Sequence, residues 1–233
     1  MNYIYSYRIT YFGGTAPCYD NDLLSLAICK KDMRRVMGRN YNCKKNNDKY
    51  WFIGLIGCAL SDDSNSPFTE DDKGRILYIA KLTDVKTFEE YFSENKYKNR
   101  KDRIYKESLN GKYNTLGSNK HFDHIDSINV HSDVYSQNRD WDVQHDCKEN
   151  YVLLSKEYAF VDVNTAKKIE QVINTSGKLA NGVGHTWFET EDNSEIVSCL
   201  ESALKKAGKE HGNDILPEEL KIAHQCGCGK DKS

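Results

Sequence analysis

The sequence is short of the features that usually settle a protein's class. Among its 233 residues no apolar run reaches the roughly 18 residues of a membrane span. The opening Met1-Asn2-Tyr3-Ile4-Tyr5-Ser6-Tyr7 lacks the basic start and long apolar core of a secretory signal. Basic charge is not in excess: 33 Lys and Arg stand against 35 Asp and Glu, for a net charge of −2. That balance argues against tight non-specific binding to long nucleic acid. The eight cysteines include no C-x-x-C pair and are too dilute for a small disulfide scaffold. There is no helical H-E-x-x-H, no complete phosphate-binding glycine fingerprint, no convincing catalytic triad and no internal repeat. These absences indicate a soluble, cytoplasmic protein, with reduced cysteines and no membrane contact.

Two small clusters fall short of metal sites. Cys226-Gly227-Cys228 with His224 offers three ligands where structural zinc usually takes four at wider spacing. His121, Asp123 and His124 offer a divalent-metal set, but in loop-like sequence. No metal and no cofactor is therefore expected.

What is present is a mixture of strands and short helices. Residues 2–10 alternate as a strand, with Tyr3, Tyr5, Tyr7 and Ile9 on one face, read as core. Gly13-Gly14-Thr15-Ala16-Pro17 breaks it. Residues 38–49 read as a polar loop. Residues 50–60 form a continuous apolar run, read as a buried strand, in which Gly54 and Gly57 suggest a bulge. Residues 75–82 form a third strand able to pair antiparallel with it. Thr87 and Glu90 form a capping box for a short helix over residues 87–92. Residues 93–150 carry no clear period and are the least readable part; loops this long within a compact domain are often lids or binding loops. Residues 151–154 are a fourth strand, and Asn164 is the expected cap of a helix over 165–174. Gly182-Val183-Gly184-His185 reads as a glycine-rich turn. An amphipathic helix follows from Asn193, with Ile196, Val197, Leu200 and Leu204 on its stripe, and a last short helix spans 217–224. Without a regular βαβ rhythm, the fold class is α+β: a mixed, mainly antiparallel sheet that can curl into a barrel, with flanking short helices.

The chemistry concentrates in residues 25–35. Leu26, Cys29 and Met33 can share one side of a short helix, with Asp22 as its cap. On that wheel Lys30 and Arg34 are i, i+4 neighbours whose like charges repel unless an anion lies between them. One reading is a solvated helix face. The other is the edge of an anion pocket, with an arginine fork for two oxygens. Cys29, flanked by cations, is either a nucleophile or an ordinary buried thiol. Trp51, Trp141 and Trp187 are stacking candidates.

These segments, in this order, resemble the second type of nucleotide-modification-associated domain, found in bacteria and phages. The likeness rests on residues 5–10 with Gly14-Thr15-Ala16-Pro17, which match the family's opening strand and its G-x-A-P turn. Residues 25–35 match its T-L-A-x-C-K-x-x-I-R-R segment. Residues 51–54, 75–82 and 87–92 match its central strand pair and T-F-E-E-Y-W helix, and residues 182–185 its late G-x-G-H turn. Cys18-Tyr19-Asp20 stands where the family tends to continue Asn-Pro-Phe, and a loop at residues 40–49 intrudes before the central strand.

The resemblance implies a context of DNA-base modification rather than a settled reaction, and its strand arrangement is similar to PUA-like barrels. It implies a domain over residues 1–188, followed by a helical extension and tail over 189–233. The expected ligand is a nucleotide or modified nucleobase, free or within nucleic acid. Expected contacts are Thr10, Gly14, Lys30, Arg34, Arg35, Trp51, Gly54, Gly184 and His185. Two alternatives stand beside the binding reading. One is an enzyme acting on a nucleotide through Cys29 or His185, with Asp123 assisting. The other is a phage or defence factor that docks a protein partner on the C-terminal helix.

Overall fold

The computed structural model describes residues 1–9, 16–19, 23–43, 47–58, 68–100, 102, 105–107, 113–115, 151–182 and 184–210. Eleven strands and four α-helices are defined among them. A five-stranded sheet has the order β10-β5-β4-β1-β11. Its strands are β1 (Asn2–Ile9), β4 (Lys49–Ile56), β5 (Ile76–Lys81), β10 (Glu157–Phe160) and β11 (His185–Thr190). β1 and β4 run parallel; the other neighbours are antiparallel. A second, wholly antiparallel sheet orders β2 (Cys18–Tyr19), β3 (Leu24–Leu26), β9 (Tyr151–Ser155) and β6 (Asp84–Thr87). β7 (Tyr105–Glu107) and β8 (Tyr113–Thr115) pair on their own.

The two sheets are one ladder bent in the middle. β5 runs into β6 and β9 into β10, and the pairing of Tyr78–Lys81 with Glu157–Phe160 continues in register as Asp84–Thr87 with Tyr151–Leu154. Ser155 holds the corner: its buried hydroxyl donates to the Lys81 carbonyl (2.6 Å) and accepts from the Glu157 amide (3.2 Å). The α+β class and the mixed sheet expected from the sequence are therefore present. Among the described residues β2 and β11 do not pair, so no closed barrel is formed.

Both faces of the larger sheet are covered. One carries Tyr5, Tyr7, Phe52, Tyr78 and Phe160 and packs on Met33 and Met37 of α1 (Lys31–Asn42). The other carries Ile4, Trp51, Ile53 and Ile79 beneath α3 (Val163–Ile173) and α4 (Glu195–Glu210). A third cluster joins Ile28, Val152 and Leu154 to Phe88 and Tyr91 of α2 (Phe88–Ser93). The Thr87–Glu90 capping box forms as expected: the Glu90 amide donates to Thr87 Oγ1 and the Thr87 amide to Glu90 Oε2.

Several sequence expectations change. Residues 25–35 are not one helix. β3 ends at Leu26, Cys29 and Lys30 take positive φ (59° and 44°), and α1 begins only at Lys31. Asp22 and the 217–224 helix lie outside the described residues. The polar run read as a loop from residue 38 is helical to Asn42. Gly38 lets Tyr151 lie against that helix, since a Cβ there would come within 2.5 Å of Tyr151 Cγ. Asp162, not Asn164, caps α3, accepting from the Thr165 amide at 2.9 Å. The stretch after Gly184 is a strand, so a boundary after residue 188 falls inside β11. The apolar stripe of α4 lies in the same cluster as Ile4 and Trp51.

Arg100 and Asp102, from a mixed charge cluster in the sequence, enter a buried network. Asp102 is fully buried. It accepts from Ser25 Oγ (2.5 Å) and Tyr91 Oη (2.8 Å), and lies 3.7 Å from Arg100 Nε. Arg100 also donates to the Cys18 carbonyl and to Ser25 Oγ. Burial pushes the Asp102 carboxyl up, against the pull of Arg100, Ser25 and Tyr91.

Candidate functional site

Facing residues of neighbouring strands point to the same side of a sheet. Tyr7 faces Gly54 on β4 and His185 on β11, while Gly54 faces Tyr78 on β5. The missing side chain at Gly54 is what lets its two neighbours meet. A Cβ there would sit 2.2 Å from Tyr78 Cε1. Instead the Tyr7 and Tyr78 hydroxyls lie 2.5 Å apart, both buried, and burial pushes both phenols well up.

Lys30 closes over this pair. Its Nζ lies 5.6 Å from the centroid of the Tyr7 ring, within cation–π range. Desolvation lowers its pKa, partly offset by Cys29. The turn presenting Lys30 is held from inside by Arg34, which is fully buried. Arg34 Nε donates to the Cys29 carbonyl and Nη1 to the Tyr151 carbonyl, each at 2.7 Å, and its guanidinium lies over Phe88. Lys30 and Arg34 thus do not share a helix face, and the repulsion expected between them is relieved by backbone carbonyls under Arg34. Arg35 is half-buried and pairs with Asp32 at 3.1 Å.

His185 completes the face. Burial lowers its pKa first, Asp32 opposes the shift, and the charges of Lys30 and Arg35 lower it further, so the site favours the neutral imidazole. Two residues along β11 stands Trp187, 50% exposed and stacked near Tyr5 with ring centroids 6.0 Å apart. Tyr5 also lies 6.3 Å from the His185 ring and accepts from Asn40 Nδ2. Tyr3 stacks on Tyr50 at 5.0 Å, and burial, with Asp48 next, pushes the Tyr50 phenol up to about 12. A Cβ on Gly184 would meet no atom within 4 Å, so packing does not demand glycine there.

The structure therefore brings together Lys30, Arg35, His185 and Gly184, with Cys29 half-buried at the turn and Gly54 beneath. Arg34 lies behind them. Trp51 stands apart on the opposite face, fully buried, donating to Asn2 Oδ1 at 3.0 Å with Lys81 over its ring. Thr10, Gly14, Trp141 and the His121–Asp123–His124 group lie outside the described residues. Tyr5 and Tyr7 were legible only as core. Their part in the site follows from β11 pairing beside β1, and the alternating His-Thr-Trp-Phe-Glu-Thr of residues 185–190 is the signal that could have placed it.

Among the described residues Cys18, Cys29, Cys43, Cys58 and Cys199 form no disulfide, no group of three or more His, Cys, Asp or Glu could hold a metal ion, and no helix is long and apolar enough to cross a membrane. The model of one protein family, described as nucleotide modification associated domain 2, matches residues 1–219. No curated protein and no solved structure matches the chain.

Proposed function

The chain belongs to the nucleotide modification associated domain 2 family, and from that premise we propose that it recognises a nucleotide or modified base on the face formed by Lys30, Arg35, His185 and Trp187. One observation carries the reading: a half-exposed tryptophan stands on the same strand face as a histidine that feels two cations. Residues two apart on a strand are about 7 Å apart. That span suits a single nucleotide, its base against Trp187 and its phosphate toward Lys30 and Arg35. Stacking on an aromatic ring contributes roughly 1–3 kcal/mol per base.

In this reading Arg34 positions the Cys29–Lys30 turn, Gly54 makes room for the tyrosine pair that supports Lys30, and Gly184 lets a ligand approach the backbone. Thr10 and Gly14, outside the described residues, remain proposed contacts. The setting is a cytoplasmic bacterial or phage protein acting beside DNA-base modification. The bent ladder is the ground for comparing the sheet with a PUA-like barrel.

A fluorescence titration tests the binding. In a Trp141→Phe background, nucleotides should quench the protein that keeps Trp187 and quench its Trp187→Phe variant much less, because the remaining Trp51 is buried on the far face. Equal quenching in both proteins would sink the reading.

A second reading keeps an enzyme in view. Cys29 lies close enough to Lys30 and Tyr7 to act electrostatically on both, a neighbourhood suited to a nucleophilic thiol. Alkylating Cys29 should then stop turnover of a nucleotide while leaving the fold intact. Unchanged turnover would exclude the thiol. A protein partner on the C-terminal helix would have to use its polar outer side, because Ile196, Val197 and Leu200 are packed inside.

A further inference from the structure

β11 is the edge strand of the larger sheet: among the described residues it pairs with β1 alone. Natural edges are usually guarded by lysine, proline, a bulge or very short length. β11 has six residues, His-Thr-Trp-Phe-Glu-Thr, with no lysine and no proline, and its pairing with β1 shows no register shift. The opposite side of the ladder is better protected: β2 has only two residues, and β6 carries Asp84 and Lys86. The two large hydrophobic side chains that stand exposed among the described residues are Met1 (41%) and Trp187 (50%), and both lie at the β1–β11 end of the sheet.

We propose that β11 pairs antiparallel with β11 of a second copy of this chain, about a two-fold axis normal to the sheet at Trp187. Such an axis preserves the faces of the sheet, so residues can pair only with residues of the same parity. Centred on residue 187, it sets Trp187 beside Trp187 of the second copy. His185 then lies opposite Glu189, twice by symmetry. This is the same-face register that matches the strand's one carboxylate to its one imidazole, and it makes the contact isologous, as closed dimers require. Thr186 faces Phe188 on the other side. The groups that would face His185 are then Asp32, Lys30 and Arg35 of its own chain and the carboxylate of Glu189 across the axis. The two aromatic faces join into one floor. The assembly does not depend on the nucleotide reading, and its readout needs no ligand.

Sedimentation of the full chain without nucleotide should give a dimer, and Glu189→Lys, an exposed position, should weaken it by about tenfold through two opposed pairs. Under mild oxidation Trp187→Cys should form a covalent dimer well above the wild-type background, because the two side chains meet at the axis. Thr186→Cys, offset by two residues from its own copy, should not. A monomeric wild type overturns the proposal, as does a dimer that Glu189→Lys leaves unchanged. Efficient cross-linking through residue 186 in place of 187 overturns it as well.

Discussion

At the scale of single residues, Gly54 decides where the candidate site can be. Its empty position lets the Tyr78 ring cross the strand and meet Tyr7, and the Tyr7 ring in turn supports Lys30. Gly54→Ala should cost about 1–3 kcal/mol or more through overpacking, because the new Cβ meets Tyr78 and Ile9 inside a filled core. Denaturant melts read the loss. An unchanged midpoint would show that the ring is free to move aside. His185 yields a second prediction, with a definite sign. Burial and two cations hold its pKa below the ordinary histidine value, so the folded state prefers the neutral ring and loses stability as pH falls through that depressed value. A bound phosphate favours the charged ring. Affinity for an anionic nucleotide should therefore rise as pH falls toward that depressed value, and His185→Gln should flatten the profile. Affinity measured across pH checks both slopes. At this scale the sequence revealed residue types more readily than directions. Trp51 and Trp187 look alike as stacking candidates, yet strand register buries one and exposes the other.

At the scale of elements, the turn at Cys29–Lys30 is the feature that local pattern hid. Apolar residues at helical spacing continued through it, but two consecutive residues in the left-handed region end β3 and start α1 anew. Each such residue costs about 1–2 kcal/mol, and Arg34, bonded to the Cys29 carbonyl, offsets part of that. Removing Arg34 leaves two carbonyls short of a donor, so Arg34→Ala should destabilise the fold by roughly 2–4 kcal/mol. Thermal melts measure it, and a loss of affinity without loss of stability would make Arg34 a direct contact instead. The capping box at Thr87 and the strand pair β4–β5 were legible because their signals are local. The parallel pairing of β1 with β4 and the shared ladder were not, since they depend on contacts far apart in the chain.

The same long reach explains Asp102, which stands among mixed charges in the sequence and is buried between Ser25 and Tyr91. Its raised pKa means that its stabilising contribution is full below the ordinary aspartate range of about 3.9 and is lost as pH rises through the folded value. Asp102→Asn should remove that dependence from the stability–pH curve. A curve of identical shape in both proteins would contradict the assignment.

At the scale of the whole molecule, the C-terminal helix belongs to the core rather than to an appendage. Ile196, Leu200 and Ala203 are buried in the cluster that holds Ile4, Trp51 and Ile169, and Val197 is buried as well. Lys206 ties the helix to the cap of α3 through Asp162, and Lys81 ties it to the sheet through Glu201. Deleting residues 193–233 should abolish cooperative unfolding. A truncated protein that still melts sharply would restore the helix as a free docking element.

The central claim is that one face of the larger sheet, with Lys30 at one end and Trp187 at the other, binds a nucleotide. Calorimetric titration of 5′-mononucleotides tests it most directly, using the wild type, Lys30→Ala, and Lys205→Ala on the exposed side of α4 as control, each first shown to melt cooperatively. Loss of one charge-assisted contact should weaken binding by about 1.5–3 kcal/mol, roughly tenfold or more, in Lys30→Ala and leave the control at wild-type affinity. Equal affinities for wild type and Lys30→Ala, or no binding of any nucleotide by the folded wild type, would contradict the account.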